Sequence, residues 1–124
     1  MRALATSAGT GDPEGLLADP RTVMLVALDG ERPVGFVLAH ELPPRDGDRS
    51  GLFVYEVEVA PGHRRRGVGS ALLERLAELA GVRGIRSGFV LTEQTNEAAS
   101  TLYERAGGTL EGVNAVWRFT YVDG

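Results

Sequence analysis

The stretch Val59 to Ser70, Val-Ala-Pro-Gly-His-Arg-Arg-Arg-Gly-Val-Gly-Ser, constrains this chain more than any other. An apolar run precedes it, and a leucine-rich helical stretch, Ala71 to Ala80, follows. The pattern is a strand, a glycine-rich turn and a helix whose first backbone N–H groups lack partners. A helix start of this kind attracts anionic oxygens, phosphates above all. Gly67 and Gly69 carry no side chain to block a ligand approaching the backbone. Arg64, Arg65 and Arg66 add positive charge beside it. The segment therefore implies a site for a phosphorylated cofactor; the alternative is an ordinary strand-to-helix turn with a basic surface patch.

Two familiar phosphate motifs are excluded. The P-loop ends in Gly-Lys-Ser/Thr, and this chain contains no lysine. The dinucleotide fingerprint needs a third glycine where this chain has Leu72. Arg-x-x-Gly-x-Gly, from Arg64 to Gly69, remains.

The 124 residues suffice for one domain and one core, so residues 1–124 are read as a single unit. Hydrophobic content of 43% and charged content of 24% are those of an ordinary globular chain. The net charge of -4 argues against nucleic acid as a partner and suits a cationic one. With no cysteine there is no thiolate nucleophile and no cysteine-bound metal, and His40 and His63 have no metal-binding spacing, so no metal is expected. Neither a membrane-length apolar segment nor a signal-peptide core stands out, and the cytoplasm is the expected compartment.

Residues 1–12 read as a loosely ordered start. Asp12-Pro13-Glu14 opens a short helix ending near Ala18. Thr22–Leu28 and Pro33–Glu41 read as strands of a hairpin turned at Asp29-Gly30. Pro43–Gly51 is a loop. Leu52–Val59 is a strand, with Tyr55, Val57 and Val59 expected on one face and Glu56 and Glu58 on the other. Gly69–Ala80 is a helix with Leu72, Leu73, Leu76 and Leu79 inward. Ile85–Thr92 is a strand, Asn96–Ala106 a helix, and Val113–Val122 a final strand. The fold expected is α/β: a mixed, mainly antiparallel sheet flanked by helices.

A second motif lies in the late helix: Asn96, Ala99, Leu102, Tyr103 and Gly107 form Asn-x-x-Ala-x-x-Leu-Tyr-x-x-x-Gly. Together with Arg64–Gly69, and in the same order, it resembles the GCN5-related N-acetyltransferase (GNAT) family. The resemblance runs from about Val23 to Tyr121. Leu42-Pro43, Arg49-Ser50 and Tyr55–Val59 running into His63-Arg64-Arg65 are similar to the aminoglycoside 3-N-acetyltransferases. The resemblance implies acetyl-CoA as co-substrate, direct acetyl transfer to a primary amine, a small and polycationic acceptor, and antibiotic resistance as the role. Two departures stand out. The strand and long helix that precede the region of Asp12 in the family are missing, which shortens the N-terminus and makes a homodimer plausible. Thr120 stands where the aminoglycoside group has an acidic residue.

The resemblance assigns Glu56 as the base or amine anchor, with Glu58 as the second choice; both would otherwise face solvent. It assigns Tyr103 as the acid for the CoA sulfur; otherwise it is a core tyrosine. Val57, Val59, Arg64, Arg65, Gly67, Val68, Gly69, Ser70, Asn96, Ala99 and Tyr103 are its cofactor-binding positions. Asn96 would otherwise be a plain helix cap. His63 either meets phosphate or faces solvent, and Trp117 is packing or a pocket wall. Glu41, Asp46 and Asp48 would hold a polycationic sugar or simply face solvent. The other readings of the chain are a peptide or protein N-acetyltransferase and a non-catalytic CoA-binding domain.

Overall fold

The Asp29-Gly30 turn organises the sheet, because Gly30 takes the left-handed conformation (φ 65°) that a tight hairpin demands. The computed structural model describes residues 2–6, 18–43, 51–93, 95–112 and 115–121. The hairpin strands are β2 (Thr22–Asp29) and β3 (Arg32–Leu42). β1 (Arg2–Thr6) adds antiparallel to β2, and β4 (Gly51–Val59) adds antiparallel to β3. A 3-10 turn (Pro61–His63) leads to α1 (Val68–Val82), which crosses back to β5 (Ser87–Val90), parallel to β4. α2 (Glu97–Arg105) follows. The sheet order is β1-β2-β3-β4-β5.

The core lies between α1 and one sheet face. Val68, Leu72 and Leu76, at i, i+4 and i+8, meet Val23, Leu25, Ala27, Val37, Ala39 and Leu52, with Ile85 closing the end. Gly35 permits the close approach. A Cβ there would lie 2.9 Å from the Glu58 carbonyl oxygen and 3.0 Å from a Val68 methyl. Leu72 is fully buried (0% exposed). Leu72→Ala is expected to lower the unfolding free energy by about 2–5 kcal/mol, read from urea denaturation.

Three expectations are corrected. Arg2–Thr6 is not a loose start but an edge strand, held by the backbone ladder to β2 that its sequence did not advertise. It also supplies the early strand thought missing. Residues 115–121 form no strand, because among the described residues no neighbouring strand takes up their backbone groups. Trp117, expected as packing or a pocket wall, is 84% exposed for the same reason, which removes the packing reading. The Asp12–Ala18 helix and the loop residues Asp46 and Asp48 lie outside the described residues, apart from Ala18, which sits in a turn.

Candidate active site

β4 carries an extra residue at the centre of the site. Val57 pairs with Val37 and Glu56 with Leu38, but Val54 pairs with Ala39, leaving Tyr55 as a β-bulge. The bulge switches the alternation of the strand. Leu52 and Val54 face the core before it, and Val57 and Val59 face the core after it. Tyr55 therefore does not share a face with Val57 and Val59, as strict alternation predicted. It turns to the face away from α1, where its ring meets His40 at 5.9 Å and Phe53 at 5.8 Å, both edge-on. Phe53 stacks on Phe89 of β5 at 4.9 Å. The His40 ring is anchored in turn by buried Thr22, whose Oγ1 lies 3.3 Å from Nδ1.

The same place opens the sheet. β5 pairs with β4 only from Gly51 to Val54. Beyond the bulge, β4 continues to Val59 with, among the described residues, no partner on the β5 side. Alternate backbone N–H and C=O groups of residues 55–59 thus line a wedge. Glu56 and Glu58 are exposed on the sheet face away from α1, opposite Leu38 and Phe36. Val57 and Val59 pack inward, so backbone is what they can offer a ligand.

The turn after β4 is shaped by two left-handed residues. Arg65 has φ 62°, an uncommon value for a non-glycine residue, and Gly67 has φ 81° at the N-cap of α1. No side chain caps this helix, and its first turn holds no acidic residue. Ala71 N–H is the first to bond back, to the Gly67 carbonyl at 3.0 Å. The N–H groups of Val68, Gly69 and Ser70 precede that bond and remain available to an anion. Val68 and Gly69 are buried, so they too offer backbone, whereas Ser70 is exposed with its hydroxyl.

Arg64 folds back so that its Nε donates to the Val59 carbonyl at 3.3 Å, and Arg65 and Arg66 are exposed. His63 is taken up elsewhere: its Nε2 lies 3.2 Å from Asp29 Oδ2, which ties the turn to the β2–β3 hairpin. Glu41 is likewise engaged, 3.5 Å from the Arg83 guanidinium beyond α1.

α2 flanks the turn. Asn96 caps it, Oδ1 accepting from Ala99 N–H at 3.0 Å, which leaves the Asn96 amide N–H groups as donors. Leu102 seats against Gly69: a Cβ on that glycine would meet a Leu102 methyl at 2.9 Å. Tyr103, the next residue, is half-buried, and desolvation pushes its hydroxyl above the ordinary value of 10.0. It therefore holds its proton throughout the neutral range. By linkage, this contribution to stability is complete below pH 10 and falls as alkali first ionises the unfolded chain. A groove of about 290 Å³ runs between the helices from Ser70 past Leu73, Glu74 and Ala77 to Arg105.

Arg64, Gly67, Val68, Gly69 and Ser70 thus converge on one turn. Glu56 and Glu58 lie on the strand leading to it, and Tyr103 on the helix beside it. The sequence reading missed the Tyr55 bulge, the left-handed Arg65, the Phe53–Tyr55–Phe89 row and Arg105 in the groove. The bulge had one signal: Leu52 and Val54 differ in parity from Val57 and Val59.

The site thus sets a helix start with free N–H groups beside a split sheet in an α/β domain, a geometry that suits an anionic, extended ligand. The chain belongs to the Acetyltransferase (GNAT) family, whose model matches residues 5–108. It is 37% identical over 117 residues to the mycothiol acetyltransferase of Kineococcus radiotolerans, covering 86% of this chain and 37% of that protein. It is 33% identical over 111 residues to the streptothricin acetyltransferase of Streptomyces lavendulae, covering 88% and 55% respectively. The chain thus spans less than two thirds of these curated relatives. The crystal structure of an aminoglycoside acetyltransferase from an uncultured soil metagenomic sample superposes with a TM-score of 0.77 at 34% identity, covering 85% of this chain and 70% of that one.

Gly67→Val is expected to raise the Kd for CoA about tenfold or more. A β-branched residue resists φ near 80°, and the turn must then redirect its N–H groups. No atom lies within 4 Å of a Cβ at Gly67, so the effect comes from the backbone rather than from crowding. Isothermal titration with CoA measures it.

Proposed function

We propose that this chain, acting as a single domain, transfers the acetyl group of acetyl-CoA directly to a primary amine of a small, cationic acceptor. The observation that carries the reading is the juxtaposition of the uncapped α1 start with the wedge beyond the Tyr55 bulge. The pyrophosphate of CoA takes the N–H groups of Val68, Gly69 and Ser70, with Arg64 and Arg65 beside it. The pantetheine arm runs along residues 56–59 of β4, using strand N–H and C=O groups, with Asn96 and Ala99 of α2 beyond. A β4 N–H polarises the thioester carbonyl as negative charge develops on its oxygen.

Glu56 holds the acceptor ammonium and takes a proton from it, because only the neutral amine has a lone pair for attack. The amine nitrogen bonds to the carbonyl carbon, the C–S bond breaks, the Tyr103 hydroxyl protonates the departing sulfur, and the second proton, released by the acylated nitrogen, restores Tyr103. No covalent enzyme intermediate arises. The specific acceptor proposed is an aminoglycoside, acetylated at its 3-amine, with antibiotic resistance as the consequence. The 34% identity to an aminoglycoside acetyltransferase and the 33% identity to a streptothricin acetyltransferase support a small antibiotic acceptor. Among the described residues no helix is long and apolar enough to cross a membrane; the cytoplasm, where acetyl-CoA is available, is the compartment proposed.

Product analysis tests the acceptor assignment. Incubation with acetyl-CoA and aminoglycosides should add 42 Da, one acetyl group (about 42 Da by composition), and NMR should locate it on the 3-amine. Acetylation at another amine rejects the 3-N assignment alone. Acetylation only of peptides rejects the small-acceptor reading.

A further inference from the structure

The Tyr55 bulge does more than open the sheet. In a regular strand consecutive side chains point to opposite faces, which would part Tyr55 from Glu56. The bulge sets both on the face away from α1, an aromatic ring beside a carboxylate. Tyr55 is 61% exposed. The rings that touch it, His40 and Phe53, lie at 68° and 88° to its plane, so neither stacks over it.

The ring is also braced on both sides. His40 is tied to buried Thr22, and Phe53 is stacked on Phe89 of β5. Single exposed aromatic residues are ordinary, but Tyr55, Phe53 and Phe89 form one row across two strands, and Phe89 is 48% exposed at its end. A surface fixed before its ligand arrives loses little freedom on binding.

The neighbours of the row decide what can sit on it. Glu56 and Glu58 stand on the same face, about 7 Å apart along β4. Apolar surface beside two anionic groups complements a flat body bordered by ammonium groups. The C–H face of a ring covers an aromatic side chain, and an ammonium over that side chain gains from its negative face. A linear polyamine matches the carboxylates equally, but it brings no flat face and loses more torsional freedom. An aromatic monoamine brings the face but leaves Glu58 without a partner.

Resting on acetyl transfer to an amine at Glu56, we infer that Tyr55, Phe53 and Phe89 seat the ring of the acceptor. The acceptor is then a ring bearing more than one ammonium group, as in an amino sugar, and Tyr55 is the residue that selects it over a linear polyamine.

Neamine, a small amino sugar, and spermine, a linear amine with the same number of amino groups, separate ring from charge. Each is titrated calorimetrically into the CoA-saturated protein. Wild type should bind neamine about tenfold or more tightly than spermine. Tyr55→Ala should raise the Kd for neamine about tenfold and that for spermine less than about twofold. Tyr55→Phe, which keeps the ring, should stay within about threefold of wild type for neamine. Equal weakening of both amines in Tyr55→Ala would overturn the inference, because charge alone would then be read. Tighter binding of spermine, or of the aromatic monoamine tyramine, than of neamine by wild type would also overturn it. Where Tyr55→Ala loses CoA as well, Phe89→Ala decides, since it lies outside the bulge; unchanged neamine binding there would overturn the row. Thiol release from acetyl-CoA separates this inference from the reading beneath it. Turnover of spermine but not neamine leaves acetyl transfer standing and removes the ring platform. Tyr55-dependent binding of neamine with no thiol release from any of these amines keeps the platform and removes acetyl transfer.

Discussion

Tyr103→Phe is expected to lower kcat about 100-fold while leaving the affinity for CoA within a factor of about two. General acid catalysis contributes about 10²–10⁴-fold, and this substitution removes the proton while keeping the ring. The half-buried ring of Tyr103 directs the expectation, because desolvation raises its hydroxyl above the ordinary value of 10.0 and keeps it protonated throughout the neutral range. The pH profile adds a second readout. In the wild type no loss of rate below pH 10 is assigned to Tyr103. Steady-state kinetics beside calorimetry separates the two effects. A kcat within about threefold of wild type would remove Tyr103 from the mechanism, and a collapse of CoA binding would recast it as a packing residue.

Glu56→Gln is expected to lower kcat/KM for the amine about 100-fold or more, with Glu58→Gln within about fivefold of wild type. Both carboxylates are exposed on the same face of β4. Their positions differ: Glu56 directly follows the Tyr55 bulge, where β4 parts from β5, and Glu58 lies two residues nearer the phosphate turn. The neutral amide keeps the size of the side chain and loses both its charge and its basicity. The wild-type rate should rise with pH as the acceptor amine becomes deprotonated, and the Glu56→Gln variant should recover part of its loss at alkaline pH, where solvent removes that proton. Equal losses from Glu56→Gln and Glu58→Gln would mean that the pair serves as a diffuse anionic surface, and a larger loss from Glu58→Gln would reverse the assignment.

The parts of this fold that local chemistry encodes were legible in the sequence. Asp29-Gly30 specifies a hairpin because a tight turn needs a left-handed residue, and Gly30 supplies it. Asn96 marks the start of α2 because its side chain satisfies a helix N–H within three residues. The leucine spacing of α1 is an interior stripe, and Leu72 and Leu76 are indeed buried. The Gly67–Ser70 turn was legible for the same reason: glycine next to a helix start is a backbone statement.

What stayed hidden depends on partners distant in sequence. The Tyr55 bulge is defined only by its register against Leu38 and Ala39. Within Leu52–Val59 one inserted residue looks like a flaw in the alternation rather than the feature that opens the sheet. His63 reads in the sequence as a phosphate contact or a solvent-facing residue, whereas in the fold it meets Asp29, 34 residues away. Arg2–Thr6 has little strand character of its own and is held by the β2 edge. The converse holds for residues 115–121. Their alternation is that of a strand, but a strand also needs an edge to pair with. The acceptor is less legible than the donor for a related reason. In the proposed complex CoA is met largely by backbone, whose positions glycines announce, whereas the proposed acceptor is met by side chains gathered from several strands.

The most direct measurement of the central claim is release of free thiol from acetyl-CoA by the purified chain in the presence of a panel of aminoglycosides. The account predicts multiple turnovers with at least one of them, abolished when the acceptor is omitted and sharply reduced in Tyr103→Phe and Glu56→Gln. Thiol release no faster than background across that panel, and across other small amines and basic peptides at saturating acetyl-CoA, would contradict it.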